Sequence, residues 1–549
     1  MIHARADIAT LRALDADADA VVVGAGPLGL VTALRLAQGG RRVLVLESGG
    51  RRAARGAQDL AEADLVSAGT HHAPAITVAR RLGGTGVLWG GRCVPYDPVD
   101  FAARPWLGLR GWPIARADLD PWLGAACAML GAGPAVFRSA AEGLEIRDDA
   151  FGADSLERWS GTPATHRLHA RTLRRSRDLH VALGVTVCGF DHGADGRVRA
   201  LELWRDGARA RLPVREVILA GGGNAVTQLL LNAQTAQPGR FGGADGPLGR
   251  FYMGHLNGQI ADIRLAGDGI ERALAFFADG DGHARRRFAP GAALQRARGL
   301  ANIAFWPIVP PIGAAEHGSG ALSAAYLALS LPTLGRRLIP EPIRLKHLGP
   351  PPYRRGPHLH NLLTDPVTAA TAVPRFLWQR YGARRRMPGF FLTNGAHRYG
   401  LEYQGEHLPD PESRLTLSER RDATGARRLR IDLRFGESDA GNVVRAHAAL
   451  GDWLEAEGLG TLEYRVPAPG REAAVLAAAK HGNHQIGTVR MAARPGDGVV
   501  DHRGTCFCTP NLHVVSTAVL PTSSQAAPTL TAAQLGLRLA DHLMQTGRV

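Results

Sequence analysis

The side chains best suited to chemistry lie in HGNHQIGTVRM, His481–Met491, which sets two histidines and an asparagine against a Gly-Thr pair. Histidine titrates near neutrality. Within hydrogen-bond reach of a substrate hydroxyl it can take that proton. Which side chain of this stretch acts, and with what partner, depends on what the other end of the chain binds.

That end is more explicit. AVVVGAGPLGLVTALRLAQGGRRVLVLESGG begins at Ala20 with a short apolar run, as a buried parallel strand requires. Gly24, Gly26 and Gly29 follow in G-x-G-x-x-G spacing, and Leu30, Ala33, Leu34 and Ala37 then recur at helical spacing. RRVLVLES is the next strand and ends at Glu47 and Ser48. Gly24 allows the tight turn, Gly26 admits a pyrophosphate to the backbone, and Gly29 lets helix and strand pack closely. Pro27 and Leu28 open the helix, whose free N–H groups favour the anion. Glu47 is expected on a ribose diol, which disfavours NADP; the motif itself does not separate NAD from FAD.

Other elements must position these two ends. RRLGGTGVLWGGRC, Arg80–Cys93, is a second glycine-rich loop, with backbone expected close to a ligand. LGVTVCGF and RVRALELW alternate like paired strands around a DHGADG turn. VREVILAGGGNAVTQLLLNA, Val214–Ala233, repeats the strand–glycine–helix order. The region 255–475 differs. It holds Pro-rich pieces, a helix expected at DPVTAATAVPRFLWQRYGARRR, strands at SRLTLSER and RRLRIDLRF, and a helix at DAGNVVRAHAALGDWLEAEGLG. NLHVVSTAVLPTSS reads as strand then turn, and the last helix opens after Pro528.

Composition narrows the classes. The formal charge is +15, yet Lys occurs only at Lys346 and Lys480, and Arg is spread along the chain. The densest runs, Arg285–Arg287 and Arg384–Arg386, lack interleaved aromatics, so the charge is read as a solvated basic surface and not a nucleic-acid platform. Five scattered cysteines, Cys93, Cys127, Cys188, Cys506 and Cys508, argue against a disulfide framework and give no metal-site spacing. No signal peptide or membrane-spanning run is read, and a cytoplasmic protein is expected.

Taken together, the glycine motif with Glu47, the loop LGGTGVLWGGR, and HQIGTVRM followed by NLHVVSTAVLPTSSQAAPTLT resemble the glucose-methanol-choline (GMC) flavoprotein oxidoreductases along most of the chain. The variant resembled is the branch acting on sugars and polyols, which GWPIARADLDPWL and LGRFYMGH also fit. The resemblance implies an α/β fold with an α+β second domain. A discontinuous, Rossmann-like FAD-binding domain would cover 15–254, with its flavin loop at 80–93, and 476–549. The substrate domain, antiparallel sheet plus helices, would be inserted at 255–475. It implies noncovalent FAD, a small-molecule alcohol as substrate and a separate electron acceptor. His484, three residues before the Gly-Thr pair, would take the hydroxyl proton. Arg81, Gly83, Gly84, Thr85, Trp89 and Gly90 would line the flavin, and Val187 would meet adenine. Ala220 and Gly221 would lie near the ADP, with Ser516 and Thr517 at the ribityl-pyrophosphate and Pro528 and Thr529 at the pyrimidine edge.

The sequence departs from the family where a second catalytic Asn or His is expected: Ala527 stands there, and alanine neither hydrogen-bonds nor titrates. Asn483 and Gln525 are the candidates to replace it. The departure keeps open a flavin-dependent lyase or decarboxylase reaction. A non-enzymatic scaffold is the remaining reading.

Overall fold

The computed structural model describes the chain except for residues 5–7, 143–145, 311, 340, 350, 383–386, 390 and 393–396. The basic run Arg384–Arg386 thus lies outside the described residues, as does the end of the helix read before it.

The apolar, β-branched run Ala20–Val23 sits inside a six-stranded parallel sheet, between Val43–Glu47 and Glu216–Leu219. Leu179–Leu183 and Ile2–His3 extend one edge, and Leu512–Val514 forms the other. Successive residues serve opposite cores. Val21, Leu44 and Val217 pack to one side, whereas Val22, Val45 and Ile218 pack to the other. Burial of both faces is why these strands read as continuous apolar runs.

Helices Pro27–Gln38 and Thr529–Gln545 cover the Val22 side and pack on each other. Their close approach needs Gly536, where a Cβ would stand 2.6 Å from Thr32 Oγ1. Arg35 and Asp541 pair across the same contact at 2.6 Å. Helix Gly223–Ala236 lies on the Val21 side with an antiparallel sheet of Thr186–His192, Val198–Arg205 and Ala208–Pro213.

The region expected to be antiparallel sheet plus helices is built so. Eight strands form one sheet, and helix Glu437–Ala456 packs on it through Val443, Leu450 and Trp453. The sheet also recruits Arg92–Cys93 and Phe151–Trp159 from earlier in the chain. The strands read at SRLTLSER and RRLRIDLRF pair as Arg414–Arg421 and Arg427–Asp432. They join Ala63–Leu65 and not the large sheet. The Pro-rich stretch folds into short helices around Gly320–Ser330, where only the helix beginning at Pro366 was expected.

Candidate active site

Three helices begin at one cleft of about 470 Å³. Their first residues follow Gly26, Gly222 and Pro528, and none of these caps its helix with a side chain. Helix starts facing a cleft offer amide donors and favour anionic groups, although at the second start Asn224 N already donates to Gln485 Oε1. The glycines make close backbone approach possible. A Cβ on Gly24, whose φ is +109°, would meet Ala220 O at 2.7 Å, and one on Gly84 would meet Gly26 Cα at 2.7 Å. At Gly26 the nearest atom to such a Cβ is 3.9 Å away, so bare backbone faces the cleft. The buried Glu47 carboxylate accepts from Ala25 N at 2.9 Å and Gly49 N at 2.8 Å, and it lines the same space. Glycine cradle, the helix starts after Gly26 and Pro528, and a fixed carboxylate fit a dinucleotide such as FAD.

Gly24, Gly26, Pro27, Leu28, Glu47, Ser48, Gly84, Thr85, Trp89, Gly90, Val187, Ala220, Gly221, Ser516, Thr517, Pro528 and Thr529 border the cleft, although they come from distant parts of the sequence. Three others expected at the cofactor do not. Gly29 is a packing residue: a Cβ there would meet Gly24 O at 2.0 Å. Gly83 turns to His166, and Arg81 donates to Arg51 O at 2.9 Å. Asp422 and Thr424, at the turn between strands Arg414–Arg421 and Arg427–Asp432, border the cleft without any signal in the sequence.

His484 and Asn483 reach this cleft from a loop. Gln485 holds that loop: its Oε1 accepts from Asn224 N at 2.8 Å, and its carbonyl accepts from Thr517 Oγ1 at 2.7 Å. Asn483 is exposed at the cleft. Gln525 is not among the cleft residues. It is fully buried, its Nε2 donates to Asp97 Oδ2 at 2.8 Å, and its Oε1 accepts from Arg287. Both ends of its amide are thus engaged by the antiparallel sheet side of the molecule.

His484 has a partner that the sequence reading passed over. Its Nδ1 lies 2.8 Å from Nδ1 of His255, with the two rings edge to face. Nε2 of His255 lies 3.1 Å from both Ser523 O and Ala526 O. Carbonyl oxygens only accept, so His255 Nε2 carries the proton. Burial, with the nearby His484 and Arg92, holds the His255 pKa far below its ordinary value, so the ring is neutral. A neutral ring protonated at Nε2 offers a lone pair at Nδ1. His484 must therefore donate from Nδ1, which leaves its Nε2 unprotonated. Burial, then Arg92, pushes the His484 pKa down to about 3. Among the described residues His484 Nε2 has no hydrogen-bond partner, and the side chain is half-buried at the cleft. The result is a neutral imidazole whose free nitrogen can take a proton.

Ala527 is buried between Ala526 and the helix cap Pro528. The loop lacks a polar side chain at 527, but its backbone carbonyls fix His255. Only the Met-Gly-His at residues 253–255, ahead of strand His255–Leu265, could have marked that histidine, and nothing local says what it meets. His255, His481 and His484 lie close enough to hold a metal ion. The hydrogen bonds of His255 at both nitrogens instead describe a proton-ordering chain.

Comparison with known proteins adds three results. Residues 409–536 match the family model described as GMC oxidoreductase. Over 96% of its length the chain resembles 99% of the crystal structure of pyridoxine 4-oxidase from Mesorbium loti, with 18% identity and a TM-score of 0.55, a likeness of fold. A search of curated proteins found no match.

Proposed function

We propose, from the GMC oxidoreductase family match over residues 409–536 and the shared fold, that the chain is an FAD-dependent enzyme oxidising a CH–OH group of a sugar, cyclitol or related polyol. The observation that carries the reading is the unprotonated Nε2 of His484 beside the glycine-rich cleft. The cradle around Gly24, Gly26, Glu47, Gly84, Thr517 and Thr529 would hold the cofactor noncovalently. FAD, when bound, supplies a hydride acceptor.

The protein's own task is proton management. His484 Nε2 accepts the substrate's hydroxyl proton as the carbinol hydrogen leaves. The resulting imidazolium stays bonded through Nδ1–H to His255. His255 is a positioning residue that fixes the tautomer of the base. Asn483, exposed in the cleft beside His484, would orient the substrate oxygen. Within this reading the cofactor domain spans 15–254 and 476–549, and the substrate domain 255–475.

Anaerobic titration of the purified yellow protein against a panel of polyols and sugars tests the proposal. Substrate should bleach the flavin, and His484→Ala should slow bleaching by about 100-fold or more. Undiminished bleaching by that variant would remove His484 from the role. Ala527 supports a second reading, a flavin-dependent lyase or decarboxylase. A panel that bleaches nothing while the flavin stays bound would favour it.

A further inference from the structure

We propose that the helical outcrop between Leu331 and Gly382 docks on an anionic phospholipid surface. Twelve large apolar side chains are exposed among the described residues, and eight of them fall between Leu331 and Trp378. Scattered apolar residues on a surface need no explanation, but a concentration of this kind does.

The outcrop is a small bundle. Helix Gly320–Ser330 packs against Pro332–Leu338, Glu341–Leu348, Gly356–Thr364 and Pro366–Leu377 around its own core of Leu322, Tyr326 and Leu329. The helices turn apolar residues outward. On Gly356–Thr364, His358 and Asn361 are buried, while Leu359 and Leu363 point to solvent one turn apart. On the last helix and its continuation, Val367, Ala370, Pro374 and Trp378 recur at helical spacing on the exposed side. Leu363 is 81% exposed, Val367 71% and Trp378 68%. An ordinary surface helix has the opposite polarity.

Charge selects the occupant. From Leu331 to Gly382 the sequence carries eight Arg or Lys against two acids, Glu341 and Asp365. Both acids are engaged: Glu341 pairs with Arg344 at 2.8 Å and Arg336 at 3.4 Å, and Asp365 accepts from Gly320 N at 2.9 Å. Arg337, Arg354, Arg355 and Arg375 stay exposed among the outward apolar residues. Basic residues interspersed with exposed Leu and Trp suit a headgroup layer, which offers anionic charge above and acyl chains below. No helix among the described residues is long and apolar enough to cross a membrane, so the contact is peripheral.

The experiment is co-sedimentation of the full chain with vesicles of phosphatidylcholine alone, or with about a third phosphatidylglycerol. Binding to the mixed vesicles should exceed binding to the neutral ones by at least about tenfold and weaken with added salt. Leu363→Asp with Trp378→Asp should lower it by at least about tenfold while circular dichroism and flavin content stay unchanged. Brominated acyl chains should quench the full chain more than Trp378→Phe, which keeps the apolar face intact. Equal sedimentation with both vesicles, or none, overturns the proposal, as does unaltered binding by the double variant. Self-association by light scattering that the double variant abolishes, with no vesicle binding, would assign the face to a second copy of the chain.

Discussion

His255 and His484 stand Nδ1 to Nδ1 at 2.8 Å, although 229 residues separate them. The carbonyls of Ser523 and Ala526 dictate the proton position on the first ring, and the first ring dictates it on the second. A catalytic imidazole held in a single tautomer presents its lone pair without waiting for a proton to relocate.

Removing that constraint should cost rate more than affinity. His255→Phe keeps a ring but neither nitrogen, and kcat is expected to fall about 10- to 100-fold with a smaller change in KM. His255→Gln, which can still donate to a carbonyl and accept from His484, should recover part of the loss. Equal damage by both variants would point to packing alone.

The pH profile of flavin reduction should reflect the depressed His484 pKa. With that pKa lowered to about 3, the base is unprotonated throughout the neutral and mildly acidic range. The rate should stay level as pH falls through 6.5, the ordinary histidine value, and decline only well below it. Arg92→Gln removes the second cause of the depression, so the acid limb should move upward. Stopped-flow bleaching across pH for both proteins checks this.

Installing Asn at 527 discriminates between the two chemical readings. The residue is 5% exposed, and its loop already engages His255 through backbone carbonyls. Ala527→Asn is expected to leave alcohol oxidation within about threefold of the starting rate, or to lower it. A gain of tenfold or more would mean that the native site is poorly adapted to alcohols and would favour a different flavin reaction.

Gly84→Ala should yield colourless protein. Its Cβ would fall 2.7 Å from Gly26 Cα, and φ at Gly84 is +51°. The two glycine-rich loops would be forced apart where the cofactor is expected, at a cost of about 1–3 kcal/mol. The ratio of flavin to protein absorbance after gel filtration reports the result.

The buried histidines should also make the fold acid-sensitive. His71, His255, His447 and His481 all have pKa values lowered mainly by burial. Above pH 6.5 these groups are neutral in both folded and unfolded chains. Below it the unfolded chain takes up protons that the folded chain refuses, so stability falls by up to about 1.4 kcal/mol per pH unit for each. Urea midpoints at pH 7.5 and pH 5 should differ accordingly, the lower pH being the less stable.

What the sequence discloses is what is local. Strand, three glycines, helix and Glu47 lie within one short segment, so their order describes their geometry, and the parallel sheet follows from apolar runs buried on both faces. The His484 loop was legible for the same reason. His255 was not, because its meaning comes from carbonyls 268 and 271 residues away. Gln525 illustrates the converse: it is two residues from Ala527, yet its amide turns to Arg287 and Asp97. The helices around Gly320–Ser330 were obscured by prolines that start helices at Pro332, Pro357 and Pro366 but read as breakers.

The sheet's outer strand Leu512–Val514 and the helix start at Thr529 have a consequence for how the protein is made. The cleft is incomplete until these segments are folded in place, because Ser516, Thr517, Pro528 and Thr529 form part of its wall. A nascent chain carrying the whole glycine motif is still an unfinished container. A ligand gripped here would have to wait for the 512–529 segment to fold, and a chain cut before Ser516 would lack that part of the wall.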